Sequence, residues 1–145
     1  MQTLLQVLRA IEAIAKAQPA IRTVVPNDVL RLNAMPAAEY GVFAWVQGEH
    51  REDLDAGILT VVLSLIYIDR LTADHRNELE VQSVGIDVLG NILRTAQEAG
   101  IYVATTVRYD TFNQRFLDDC AGVFCQAELE VPLDWICQDY IDETI

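Results

Sequence analysis

The segment Ile58 to Asp69, ILTVVLSLIYID, limits the fold of this chain more than any other part of it. In an extended strand, alternation sends Leu59, Val61, Leu63, Leu65 and Tyr67 to one side and Ile58, Thr60, Val62, Ser64, Ile66 and Ile68 to the other. Both sets are mostly apolar, so the strand belongs inside a sheet and needs cover on both faces. Its apolar part, Ile58 to Ile68, contains Thr60 and Ser64 and is eleven residues long. A helix needs about 20 apolar residues to cross a bilayer, so the run reads as a strand and not as a membrane span.

The flanking text supplies partners for that strand. Residues 3–17 place Leu4, Val7, Leu8, Ile11, Ile14 and Ala15 on one stripe, with Gln6, Arg9, Glu12 and Lys16 opposite, and Pro19 ends the pattern. An amphipathic helix is predicted there. Breakers at Pro26, Asn27, Asp28 and Pro36 make Ala20 to Ala38 a connection with one short strand near Ile21–Val25. Tyr40 to Gln47 is aromatic and β-branched and reads as a strand. Between it and Ile58, the glycine-bounded stretch GEHREDLDAG (Gly48–Gly57) reads as a charged hairpin loop, longer than the usual two to five residues.

From about Asp74 to Glu98 the period becomes helical. Leu79, Ile86, Leu89, Leu93 and Ala96 form one seam, flanked by Val84, Val88 and Ile92. Gly85 and Gly90 each cost about 1 kcal/mol there relative to alanine, which points to close approach against something flat. Ile101–Tyr109 and Ala121–Val131 alternate and read as two further strands, with a turn or short helix over Asp110–Cys120.

The order is α-β-β-α-β-β, which predicts an α+β fold: a four- to five-stranded, mostly antiparallel sheet with both helices on one face. A chain of 145 residues supports one core, so residues 1–145 form a single domain, with residues 133–145 as an acidic docking tail. If the helices occupy one sheet face, the other remains apolar, and monomers rarely expose such a patch. The expected cover is a second copy of the chain; the alternative is that Ile21–Leu32 or the C-terminal tail folds over it. The expected contact residues are Glu49, Arg51, Glu52, Asp53 and Asp55 in the charged loop, Val62, Ile66 and Ile68 on the strand, and Trp135 and Tyr140 in the tail.

Charge and chemistry narrow the function. With 22 acidic and 10 basic residues the formal net charge is −12, which disfavours any partner bound through phosphate neutralisation. From Phe116 onward there are eight acids and no Lys or Arg, and nine of the ten cations are arginine, which suits bidentate pairing with carboxylates at interfaces. Cys120, Cys125 and Cys137 have no CxxC spacing and no neighbouring histidine, so they read as buried thiols of a cytosolic protein; no metal is expected. Met1–Ala10 lacks the charged and apolar regions of a secretory leader. The glycines never form a phosphate cradle and the two serines lie outside any nucleophile elbow, so neither a cofactor nor a catalytic residue is expected. A carboxylate site at Asp53, Asp55 and Asp110 is the remaining enzymatic alternative.

Residues Phe112 to Val131, FNQRFLDDCAGVFCQAELEV, followed by Pro132, carry a phenylalanine, an acidic pair, Ala-Gly-Val and an alternating strand ending in Val-Pro. This text resembles the C-terminal strand entry of small neck and tail-completion proteins of tailed phages, and the plan of helix, charged hairpin, long helix and second hairpin is similar to the tail-terminator fold. The resemblance implies a non-enzymatic virion structural protein, made in the host cytoplasm and located at the neck or tail. It would form a homo-oligomeric ring, commonly sixfold, in contact with portal, connector or tail-tube proteins. An acidic lumen would repel DNA phosphates passing through it within a Debye length of about 8–10 Å. Without the resemblance, the residues also fit a small acidic adaptor or chaperone-like protein-binding module.

Overall fold

The computed structural model describes residues 3–26, 40–74, 76–104, 106–113 and 120–133. The order of elements is α1 (Thr3–Lys16), β1 (Thr23–Pro26), β2 (Val42–Gln47), β3 (Arg51–Asp53), β4 (Ile58–Arg70), α2 (Glu78–Glu98), β5 (Tyr102–Val103), β6 (Tyr109–Asn113) and β7 (Cys120–Pro132). The fold is α+β, as the pattern predicts. Trp135 and Tyr140, with the rest of the acidic tail from residue 134 on, lie outside the described residues.

The segment ILTVVLSLIYID forms most of the central strand. All thirteen residues of β4 pair antiparallel with β7, from Ile58 opposite Pro132 to Arg70 opposite Cys120. The other edge of β4 takes β2 and then β3, both antiparallel, and β1 lies parallel outside β2. On the far side of β7 lie β6 and β5. There are seven strands where four or five were expected, because the two lanes flanking the β4–β7 pair are each broken. One break falls at Gly48–His50. The other falls at residues 104–108, where five residues stand opposite the three of β7 between Cys125 and Leu129. Ile101–Tyr109 is therefore strand only at its two ends, and Asp110–Asn113, expected within a turn or short helix over Asp110–Cys120, continues the strand that Tyr109 begins.

Both helices cover one face. Val7, Ile11 and Ile14 of α1 and Val88, Leu89 and Ile92 of α2 share a core with Phe43, Leu63, Leu65, Tyr67, Val123 and Leu129. Leu89, Leu93 and Ala96 of the expected α2 seam and its flanking Val88 and Ile92 are buried, but Leu79 is 79% and Ile86 38% exposed, and Val81 takes the inward place near the start of the helix. Gly85 sets this phase. A Cβ at that position would stand 2.8 Å from Val123 Cγ2 and 3.1 Å from Tyr67 Cδ2, so the helix rests on the sheet at its bare backbone. The flat surface anticipated for Gly85 is thus the β4–β7 pair. The side chains of Gln82 and Gln97 on α2 donate to the Phe112 and Val103 carbonyls, capping groups of the outermost lane that would otherwise be open to pairing.

The opposite face divides into two halves. At the Arg70 end, Val25, Tyr40, Val42, Ala44, Ile68 and Cys120 form a second buried cluster with Ile66 and Phe112 against it. At the Ile58 end the same face carries Thr60, Ser64, Gln126, Glu128 and Glu130. The apolar surplus expected on this face is therefore buried within the single chain at its Arg70 end, where Val25 of β1 joins the cluster. Toward the Ile58 end Val62 is buried as well and Ile58 is half-buried, both among polar neighbours.

Gly122 lies in register with Ile68 on the central pair. An added Cβ would collide with the backbone carbonyl of Tyr67 and stand 2.7 Å from Phe112 Cζ. Gly122→Ala should lower stability by about 1–3 kcal/mol, read as a reduced urea midpoint, whereas the exposed Ser83→Ala on α2 should move it by less than about 0.5 kcal/mol.

Candidate functional site

The charged stretch after β2 is not a long loop. Gly48 N–H still donates to the Val62 carbonyl at 2.8 Å, and then the chain bulges. The Val62 N–H, left without a backbone acceptor opposite, donates to His50 Nδ1 at 3.1 Å. Because Nδ1 accepts, the proton sits on Nε2, which donates to Gln47 Oε1 at 2.9 Å. The ladder resumes with Arg51 opposite Thr60 and Asp53 opposite Ile58. His50, one of two histidines in the chain, thus substitutes for a missing peptide group.

The turn that follows is built by Asp53. Its Oδ1 accepts from the N–H groups of Asp55 and Ala56 at 3.1 and 3.0 Å, its carbonyl accepts from Gly57 N–H, and Gly57 completes the turn at φ 67°. Leu133 N–H donates to the Gly57 carbonyl, tying the end of β7 to the same turn. The result is a firmly held tip with Leu54 81% exposed between acidic neighbours.

A depression of about 730 Å³ at this end is lined by Arg51, Glu52, Asp53, Asp55, Thr60 and Glu130 among others. Arg51 Nη2 lies 3.0 Å from Glu128 Oε1, and since these residues stand on strands flanking β4, the ion pair spans β4 beside Val62. Both side chains are about half exposed, so the pair contributes no more than about 1 kcal/mol. Four of the expected contact residues, Arg51, Glu52, Asp53 and Asp55, are brought together here, and Glu49 is exposed at the bulge. Ile66 is half-buried, but Val62 and Ile68 are 3% and 1% exposed, so they are already covered within one chain. Glu128 and Glu130 complete the acidic end. Their alternation along the strand was legible in the sequence, whereas their pairing with the hairpin required the register.

A second region lies at the other lane break. On the open sheet face a cleft of about 560 Å³ is lined by Ser64, Thr106, Arg108, Asp110, Gln126 and Glu128 among others. On the helix side, a cavity of about 260 Å³ lies between α2 and the edge lane, lined by Leu93, Arg94, Gln97, Val103, Val107 and Tyr109 with Gly90 and Ala104. Asp110 belongs to the first of these and Asp53 and Asp55 to the hairpin depression, so the three carboxylates weighed as a catalytic set do not gather in one pocket. Among the described residues, no three His, Cys, Asp or Glu side chains are grouped to hold a metal ion. The same residues include no helix long and apolar enough to cross a membrane. Cys120 and Cys125 are buried. The chain matches no protein-family model and no curated protein.

Burial pushes the Cys125 thiol up to about 12 and raises the Tyr67 hydroxyl as well, the latter reinforced by Asp69. Both groups are neutral in the folded chain at ordinary pH. Above about pH 9 an unfolded chain releases the Cys125 proton and the folded chain retains it, so unfolding is favoured as pH rises from 9 toward 12. Stability should fall through that window, by at most about 1.4 kcal/mol per pH unit for each such group, and Cys125→Ala should make the slope shallower in urea titrations at stepped pH. His50→Ala, which leaves the Val62 N–H without its acceptor, should cost about 1–3 kcal/mol by the same assay at neutral pH.

Proposed function

We propose that this chain is a non-enzymatic structural subunit that assembles into a ring at the neck or tail end of a phage particle, in the manner of tail-terminator and head–tail joining proteins. The observation that supports this reading most is the hairpin end of the sheet. A strand extension held by His50 and Asp53 keeps an exposed leucine and its flanking acids in a fixed geometry. A rigid, exposed, charged tip is suited to contact with a neighbouring protein, since little conformational freedom is lost on binding. The element order of helix, charged hairpin, long helix and second hairpin is the plan on which the resemblance to tail terminators rests.

The neighbours in this reading are further copies of the chain around the ring and portal, connector or tail-tube proteins above and below it. The covered Val62 and Ile68 move the expected subunit contact away from the sheet face and toward the hairpin. The net charge of −12 suits a ring whose lumen passes DNA without binding it.

Light scattering coupled to size-exclusion chromatography on the full chain should give a mass that is a multiple of the 16.2 kDa subunit, with rings visible by negative-stain electron microscopy. A monomer at every concentration up to several hundred micromolar, alone and with tail-tube protein, would overturn the reading.

A further inference from the structure

The hairpin tip and the cavity beside α2 are complementary to each other, yet they lie on different edges of the molecule. Leu54 is 81% exposed and stands between Glu52, Asp53 and Asp55. The cavity is lined by Leu93, Val103 and Val107 together with Arg94, Gln97 and Tyr109, the Arg94 guanidinium and Tyr109 hydroxyl reaching over Gly90; no carboxylate is among these lining residues. The hollow has a volume of about 260 Å³ and is open to solvent on one side. Arg94 is exposed, with Nη2 donating to Asn91 Oδ1 at 2.6 Å, so its guanidinium is held at the border and retains further N–H donors.

Within one chain the two cannot meet. The tip is at the outer edge of β4, and the cavity is at the outer edge of β7, with both central strands between them. Resting on the ring reading above, we propose that Leu54 of one copy seats in the Leu93–Val103–Val107 cavity of the next, with Asp55 and Glu52 facing Arg94. Knob and hole are different surfaces of the same chain, so the contact is head-to-tail and propagates around a ring instead of stopping at a two-fold dimer. The leucine supplies the buried apolar anchor and the acid–arginine contacts set its orientation.

The test measures self-association of the full chain by sedimentation velocity. Leu54→Ser, at an exposed position that leaves the circular dichroism spectrum unchanged, should weaken association at least tenfold, and Arg94→Glu should do likewise. Asp55→Arg combined with Arg94→Glu should recover most of the loss. Mixing Leu54→Ser, which keeps the hole, with Arg94→Glu, which keeps the knob, should yield heterodimers that grow no further. A wild-type chain that assembles while Leu54→Ser and Arg94→Glu assemble equally well overturns this contact and leaves the ring reading standing. A wild-type chain that never assembles overturns both.

Discussion

The continuous pairing of β4 with β7 organises everything else in this molecule. Thirteen residues of each strand are in unbroken register, which fixes which side chain of either strand faces which layer. One layer, with Leu63, Leu65, Tyr67, Val123 and Leu129, receives both helices. The other changes character along its length, from the buried Ile68 and Cys120 at one end to Glu128 and Glu130 at the other. A slip of one residue would exchange these layers, placing glutamates under α2 and leucines in solvent. The close seat of Gly85 on Tyr67 and Val123 and of Gly122 on the Tyr67 carbonyl adds a steric condition to the hydrophobic one.

Around this regular centre the margins are irregular, and the distinctive features sit there. Each lane flanking the central pair is interrupted once. At Gly48–His50 an imidazole replaces a peptide acceptor and lets the strand continue to a tight, acidic turn. Between β5 and β6 the lane has two more residues than β7 has opposite, and hollows lie on both sides of it. Regular sheet offers little that is specific to a partner, since its hydrogen bonds are satisfied and its faces covered. Interruptions supply exposed knobs, hollows and displaced polar groups at no cost to the core.

Much of the architecture was legible because its signals are periodic. Strong alternation marked β4, β2 and β7, and the 3.6-residue period marked both helices. The misreadings share one cause. Leu79 and Ile86 fit the helical stripe of Leu89, Leu93 and Ala96 as well as Val81 does, and the choice among them was made by contact with Gly85's neighbours, residues distant in sequence. Arg51–Asp53 carries no apolar alternation, so nothing local marks it as a strand; it is one because Ile58–Thr60 offers an open edge. Tyr109–Asn113 is extended for the same reason, against Ala121–Cys125. Of the site, the acids of the hairpin were apparent as a group, whereas Leu54 drew no notice because a lone leucine in a polar stretch has no periodicity. The cavity beside α2 joins residues from Gly90 to Tyr109 through a lane break that only pairing reveals.

The amino-acid sequence alone determined that the chain folds around one doubly apolar strand, that two amphipathic helices cover a sheet, and that the molecule is strongly acidic. These follow from local periodicity and composition, which each segment carries in itself. Tertiary structure decided the phase of α2, the conversion of charged text into an edge strand, the burial of Val62 and Ile68, and the separation of the acidic knob from the arginine-bordered hollow. Each of these depends on which backbone groups and side chains meet across long stretches of chain, and a free energy of contact belongs to both partners, so neither segment encodes it alone.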